Sequence, residues 1–224
     1  MCRRKPAAIT DHSPWLKAPA KQAQKEEKKK NHKTSIRNQG NIAKIRLQIT
    51  EVRMASAQAG FFSMCVPQAL GGAGLGHLAY YVAWEALFHR CGPKNWLMLY
   101  ALAHWAFGPS KLLEQIGDRA KAEFLPDLIS GKKSMCFGLT EPDAGSDASK
   151  LQTKAVADGH GWRISGRKIW TTNAPIADYC VVFAKMEEGI SAFMVPKFKL
   201  DGSRNPIWCS GTDHKMGINA SPTC

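Results

Sequence analysis

The sequence has no apolar run long enough to cross a membrane as a helix. Its longest, Trp96 to Phe107, has 12 residues, against the ~20 that a span requires. No secretory signal is read at the start, and the Lys-rich opening is a poor match to the Arg- and Ser-rich, acid-poor pattern of an organellar transit peptide. Paired cysteine spacing is also missing. The seven cysteines (Cys2, Cys65, Cys91, Cys136, Cys180, Cys209, Cys224) form an odd set without a short interval of zinc or redox type. Several lie in apolar runs, where a reduced thiol behaves as a small hydrophobe. The expected setting is an intracellular reducing compartment, cytoplasm or mitochondrion.

Acids are scarce: 18 Asp and Glu face 31 Lys and Arg, giving a formal charge of +13. The imbalance is concentrated in residues 1–40, where eleven Lys/Arg meet only Asp11, Glu26 and Glu27. This stretch has almost no apolar periodicity, so residues 1–41 are expected to be a solvated, disordered basic tail. An arm for nucleic acid or an anionic membrane is the competing reading. The rest of the chain carries no recognisable nucleic-acid module, so nucleic acid is not an expected partner. With 44% hydrophobic and 22% charged residues, the sequence as a whole has the composition of a globular protein able to bury a core.

Two kinds of pattern follow the tail. Ile42, Ile45, Ile49, Val52 and Ala55 recur at helical spacing up to Gly60. The loop Val66 to Gly76 holds four glycines within six residues. Without a preceding strand or a Gly-Lys-Ser/Thr ending, it reads as a helix-to-helix connector rather than a phosphate loop. His77 to His89, Trp96 to Phe107 and Ser110 to Leu125 read as further helices, with breakers at Gly92-Pro93 and near Pro126. His104 on the second of these reads as a core histidine, the catalytic base being the alternative. After Gly131-Lys132-Lys133 the period changes to two, with strands expected around Phe137 and Leu139, Trp162 and Ile164, Tyr179 to Ala184, and Ile190 to Val195. The fold class expected is α+β: a helical layer over 42–134, then an antiparallel, β-barrel-like domain over 135–224.

Two short stretches carry polar chemistry. Thr140-Glu141-Pro142-Asp143-Ala144-Gly145-Ser146-Asp147 ends an apolar run abruptly. Pro142 disfavours helix at Glu141, Gly145 permits close backbone approach, and the hydroxyls and amides suit an anionic or heteroaromatic ligand, although an Asp- and Ser-rich turn would read alike. Ser165 to Ala174 reads as a turn followed by a strand presenting Trp170 and the hydroxyls of Thr171 and Thr172. That set suits a flat ring with polar edges, or else a core tryptophan.

Taken together, Met135 to Asp147, Gly166 to Ala174, Gly189 to Phe193 and Lys215 to Cys224 resemble, in order, the motifs of the acyl-CoA dehydrogenase family. Val66-Pro67-Gln68 with Gly71 to Gly74 and Gly117 to Leu128 resemble its helical N-terminal domain. The resemblance implies FAD as cofactor and α,β-dehydrogenation of an acyl-CoA thioester. It also implies an electron-transfer flavoprotein or similar acceptor, and a homo-oligomer for the complete enzyme. An oxidase handing electrons to oxygen is left open. Phe137, Leu139 and Thr140 would line the flavin, with the Leu139 amide and Thr140 hydroxyl on its pyrimidine edge. Gly145 and Ser146 would lie by the phosphate-bearing parts of cofactor and thioester, Trp170 on the ring face, and Thr171 and Thr172 beside the ring. The family's proton-abstracting Glu belongs to a C-terminal helical domain, whereas this sequence runs to Cys224. The expectation is therefore a truncated member with no catalytic residue of its own, or else a non-catalytic flavin-binding or oligomer-associating remnant. Glu141 holds a structural place in the family motif.

Overall fold

Ile45, Ile49 and Val52 set the position of the first described helix, α1 (44–58). Their i, i+4, i+7 spacing turns one stripe inward, and Ile49 is fully buried against Tyr100 and Ile176. The computed structural model describes residues 44–92, 96–102, 109, 111–159, 161–199, 202–205, 209, 211–216 and 221–224. The expected disordered tail, His104 and Ser110 lie outside them. All the described residues belong to one compact unit, Ile42–Cys224.

The glycine-rich segment after α1 is a connector to α2 (His77–Cys91), as its sequence suggested. It contains a 3-10 turn, Gln68–Leu70, closed by Gly71 in the left-handed region. A Cβ on Gly72 would stand 2.1 Å from the Val66 carbonyl oxygen, so the loop folds onto itself only with glycine there. Trp96–Tyr100, expected as helix, is a 3-10 turn. The helix expected over Ser110 to Leu125 is instead a 3-10 turn, Lys111–Gln115, followed by α3 (Asp118–Ile129) behind Gly117. Pro126 lies inside α3 and does not end it. The helix has only one turn left to run, and that turn buries Leu128 completely.

Among the described residues the sheet has five strands: β1 (Met135–Gly138), β2 (Lys154–Asp158), β3 (Gly161–Ser165), β4 (Tyr179–Met186) and β5 (Gly189–Pro196). The strand at its centre is β4. It pairs with β5 antiparallel along its whole length, Tyr179 opposite Pro196 and Met186 opposite Gly189. Its other edge takes β1 in parallel, Met135 opposite Tyr179, and then β2 at Lys185. The hairpin β2–β3 is antiparallel, which leaves a mixed sheet. Lys154–Asp158 escaped the period-two reading because only Ala155 of its five residues is buried, so no apolar alternation marks it.

All four residues of β1 are buried, since the strand is covered on both faces. Met135 and Phe137 pack with Leu125, Leu128, Leu113 and Val181; Cys136 packs with Ala174 and Ala177. Polar contacts fix α1 to this layer. Asp178, just ahead of β4, accepts a hydrogen bond from the Ser134 amide at 2.9 Å and pairs with Arg46 of α1. Buried Arg53 donates to the Gly131 carbonyl at 3.2 Å. With α1 and α3 clamped to β1, the segment leaving β1 at Leu139 has a fixed origin.

Candidate functional site

The segment after β1 folds around a buried carboxylate. Glu141 is 4% exposed. Its carboxylate accepts from the Thr153 amide at 3.0 Å, the Thr153 hydroxyl, the Gln152 amide and the Lys168 ammonium at 2.7 Å. Burial alone would raise its pKa. The Lys168, Thr153 and Gln152 hydrogen bonds to the ionised form outweigh burial and bring it down to about 2. Backbone bonds between Glu141 and Ala144 in both directions (3.0 and 3.2 Å) close the turn. A carboxylate with four donors and a pKa lowered to about 2 serves as an ionised anchor and is a poor proton acceptor near neutral pH.

Lys168 joins this turn to the second polar stretch. It also donates to the Leu139 carbonyl at 3.1 Å, and the Ile169 amide donates to the Thr140 carbonyl at 2.9 Å. Gly166 is needed for the approach, because a Cβ there would stand 2.3 Å from the Thr153 hydroxyl oxygen. Beyond Ile169 the chain does not form the expected strand. Trp170 sits at φ 57° and Asn173 at φ 67°, left-handed values that are uncommon for bulky residues and interrupt any strand. Residues 171–173 instead pair with 222–224: the Thr171 amide donates to the Cys224 carbonyl and the Asn173 amide to that of Pro222, each at 2.6 Å.

Between these segments lies a cleft of about 650 Å³, whose lining includes Gly138, Arg167, Trp170, Thr171, Cys209 and Cys224. The volume lies within the range typical of small-molecule sites, ~300–1,000 Å³. A larger space of about 1040 Å³ lies between α1, the 60–73 loop and α3, but none of the residues expected at the site line it. In the cleft Trp170 is 68% exposed while Thr171 is 6% exposed, so a flat aromatic face stands free beside a buried hydroxyl.

The expected residues divide into three groups. Trp170 and Thr171 line the cleft. Leu139 and Thr140 lie outside the lining but are bonded through their carbonyls to Lys168 and Ile169, which belong to it. Phe137 is a core residue stacked on Phe183 at 6.1 Å. Thr172 bridges to Thr223, and Gly145 and Ser146 form an exposed turn. Sequence reasoning did not single out Lys168, Thr153 or Arg167. The carboxylate in Glu141-Pro142, forced out of helix, is the sequence signal that a cation would be needed nearby.

The donors left over bear on whether a flavin fits. The Leu139 amide, the Thr140 hydroxyl and the buried Thr171 hydroxyl have no hydrogen-bond partner among the described residues. A buried hydroxyl without a partner is unusual in a finished fold. A heteroaromatic ring with carbonyl and nitrogen acceptors on its edge, stacked on Trp170, would use this set. The residues present fit that group.

Helices clamped to a mixed sheet, with a polar cleft bounded by the segment leaving β1, define an α+β ligand-binding class. Comparison narrows the class. The acyl-CoA dehydrogenase N-terminal domain matches residues 21–132 and the acyl-CoA dehydrogenase middle domain residues 136–224; the chain belongs to the acyl-CoA dehydrogenase family. It is 39% identical over 169 residues to the short-chain specific mitochondrial acyl-CoA dehydrogenase of Homo sapiens, covering 73% of this chain and 39% of that protein. It is 36% identical over 173 residues to CarC, a subunit of the caffeyl-CoA reductase-Etf complex of Acetobacterium woodii, covering 75% of this chain and 44% of that one. Among solved structures, acyl-CoA dehydrogenase complexed with FAD from Bacillus anthracis superposes with a TM-score of 0.60 and 28% identity, over 82% of this chain and 31% of that one. The chain spans between 39% and 45% of the length of the curated relatives it matches.

Proposed function

We propose that residues 42–224 form the flavin-holding part of an FAD-dependent acyl-CoA oxidoreductase that dehydrogenates the α,β bond of an acyl thioester. Residues 42–134 would be its helical N-terminal domain and 135–224 its middle β domain. One observation carries this reading. The bonds from Lys168 and Ile169 hold the Leu139–Thr140 segment against the segment bearing Trp170 and Thr171, and they leave ring-edge donors without a partner among the described residues beside an exposed aromatic face.

In this reading the Trp170 ring supports the isoalloxazine face. The Leu139 amide and Thr140 hydroxyl donate to its pyrimidine edge, and Thr171 and Thr172 supply hydroxyls beside the ring. Donors aimed at that edge stabilise negative charge that develops there on reduction. Bound FAD supplies the two-electron acceptor for the β hydride. Gly145 and Ser146, on the exposed turn, would meet the phosphate-bearing parts of cofactor and thioester, and Arg167 adds a cation at the cleft. Glu141 is committed to Lys168 and Thr153, and the family resemblance gives the α proton to a carboxylate of a C-terminal helical domain. The relative named as an Etf-complex subunit supports an electron-transfer flavoprotein as the electron acceptor.

The test is FAD titration of the purified chain, followed by absorbance in the flavin band and by tryptophan fluorescence, and then addition of an acyl-CoA. Saturable binding that quenches tryptophan and weakens about tenfold in Trp170→Ala, a loss of ~1.4 kcal/mol, is the expected result. A folded chain that takes up no FAD would remove the proposal. Binding without bleaching by acyl-CoA would confirm that the base is supplied elsewhere.

A further inference from the structure

Four cysteines far apart in sequence meet beside the cleft. Cys136 of β1, Cys180 of β4, Cys209 and Cys224 gather around Ala174 and Ala177, and all four are free thiols. Within this cluster the thiols influence one another in two pairs, Cys136 with Cys180 and Cys209 with Cys224. The pairs differ in access and in charge. Cys136 is completely buried, and its hydrogen bond with Cys180 and its burial push its pKa well up. Cys180 is half-buried and lines the cleft, as do Cys209 and Cys224, so only the second pair has both its thiols at the cleft wall.

The second pair is also polarised. The hydrogen bond from Cys224, aided by the charges of Lys197 and Arg204, draws Cys209 down to about 7 despite burial. Cys224 is shifted upward by the same bond and by burial. One sulfur is therefore disposed to be the thiolate and its neighbour the proton-bearing thiol, an arrangement that makes a cysteine both nucleophilic and resolvable.

We propose that Cys209 and Cys224 form a hydroperoxide-reactive dithiol in the wall of the cleft, with Cys209 the attacking sulfur and Cys224 the resolving one. The Cys209 thiolate attacks the terminal oxygen of a hydroperoxide. An S–O bond forms, the O–O bond breaks, and the departing alkoxide or hydroxide takes a proton to leave as alcohol or water. Cys224 sulfur then attacks the sulfenic sulfur; the S–S bond forms, the S–O bond breaks, and water leaves with the Cys224 proton. In sum, two thiols and one hydroperoxide give one disulfide, one alcohol (or water) and one water, a two-electron oxidation of sulfur matched by a two-electron reduction of peroxide. The two thiols pack on one cluster and line one cleft, and a disulfide brings their sulfurs to ~2.05 Å. The bond would tether residue 209 to the 222–224 segment, which pairs with Thr171 and Asn173. Oxidation would thereby fix the cleft wall beside Trp170, whatever ligand the cleft takes.

The experiment treats the reduced full chain with one equivalent of hydrogen peroxide, caps the remaining thiols with N-ethylmaleimide, and maps the tryptic peptides. Cleavage after Lys168, Lys185, Arg204 and Lys215 places Cys180, Cys209 and Cys224 on separate peptides. The expected result is loss of two hydrogens from the intact mass, two of seven thiols protected, and a cross-link between the Cys209 and Cys224 peptides. In Cys224→Ser, dimedone should trap sulfenic acid at Cys209. In the reduced chain iodoacetamide should label Cys209 at least about tenfold faster than Cys65, whose thiol burial pushes up. The wild-type map decides even if a variant fails to fold. A disulfide forming first between Cys136 and Cys180, no disulfide at all, or Cys209 reacting no faster than Cys65 would overturn the proposal.

Discussion

The two segments that meet at the cleft are held in opposite ways. Residues 139–153 wrap a buried ion, the Glu141 carboxylate, whose donors come from Lys168, Thr153 and Gln152. Residues 166–173 are held largely by backbone: a close approach at Gly166, a left-handed tryptophan, and pairing with 222–224. The first arrangement is rigid but depends on one charge. In the second, side-chain bonds come from Lys168 and Asn173 and the rest are main-chain, yet it presents the exposed ring and a hydroxyl without a partner among the described residues. Side-chain chemistry thus builds the support, and backbone chemistry frees side chains for a ligand.

The sharpest way to break this contrast is at the ion. Glu141→Ala leaves the largely buried Lys168 ammonium without its counter-charge, and the expected loss is about 3 kcal/mol, read from urea unfolding. Glu141→Gln keeps the shape and isolates the charge. Because the folded-state pKa is depressed to about 2, the carboxylate's contribution is complete above the ordinary value of ~4.3. It is lost as pH falls toward 2. The stability gap between wild type and Glu141→Gln should therefore narrow across that window, and a gap that stays constant down to pH 2 would show that Glu141 is not the ionised anchor.

Gly166→Ala attacks the other segment where backbone meets backbone. Its Cβ would stand 2.3 Å from the Thr153 hydroxyl and 2.6 Å from the Thr153 Cα, and overpacking of this kind costs about 1–3 kcal/mol. Thermal unfolding of the variant should fall accordingly. An unchanged midpoint would mean the two segments are not pressed together.

This division also explains what could be read from the sequence. The stripe Ile45, Ile49, Val52, the apolar β4 and β5, and the glycine-rich connector were legible because burial and periodicity mark them locally. Lys154–Asp158 was not, having one buried residue, and the end of α3 beyond Pro126 depended on Leu128 finding the core. At the site, the motif resemblance pointed to Trp170, Thr171, Leu139 and Thr140. The Lys168–Glu141 pair and the left-handed Trp170 join residues 27 apart or depend on φ alone, and no local pattern encodes either. Phe137 reads as part of the ligand motif, whereas its ring is in the core against Phe183.

Trp170→Gly separates stability from binding. The ring is 68% exposed, so little burial is lost, while glycine accepts φ 57° without the ~1–2 kcal/mol that a left-handed L-residue costs. Glycine's greater unfolded-state freedom offsets ~0.5–1 kcal/mol of that gain. The expected outcome is unfolding stability unchanged or raised by up to about 1 kcal/mol, with FAD affinity reduced about tenfold. Lower stability together with intact FAD binding would assign the tryptophan to packing.

Thr171→Val makes the smallest change and is the finest probe of the same contrast. It replaces a buried hydroxyl with a methyl of similar shape and leaves the Thr171 amide free to keep its bond to the Cys224 carbonyl at 2.6 Å. A buried hydroxyl with no partner among the described residues returns little for its desolvation in the apo chain, so its removal should leave that chain equally stable or up to about 1 kcal/mol more so. With ligand present the sign reverses: a hydroxyl that completes its hydrogen bond on the ring contributes about 0.5–1.5 kcal/mol, and the variant's FAD dissociation constant should rise by roughly two- to tenfold. Apo and FAD-loaded melts of wild type and variant, run side by side, read both signs at once. If the variant is destabilised without FAD, Thr171 is a structural hydroxyl, and the backbone-held segment does not leave its side chains free.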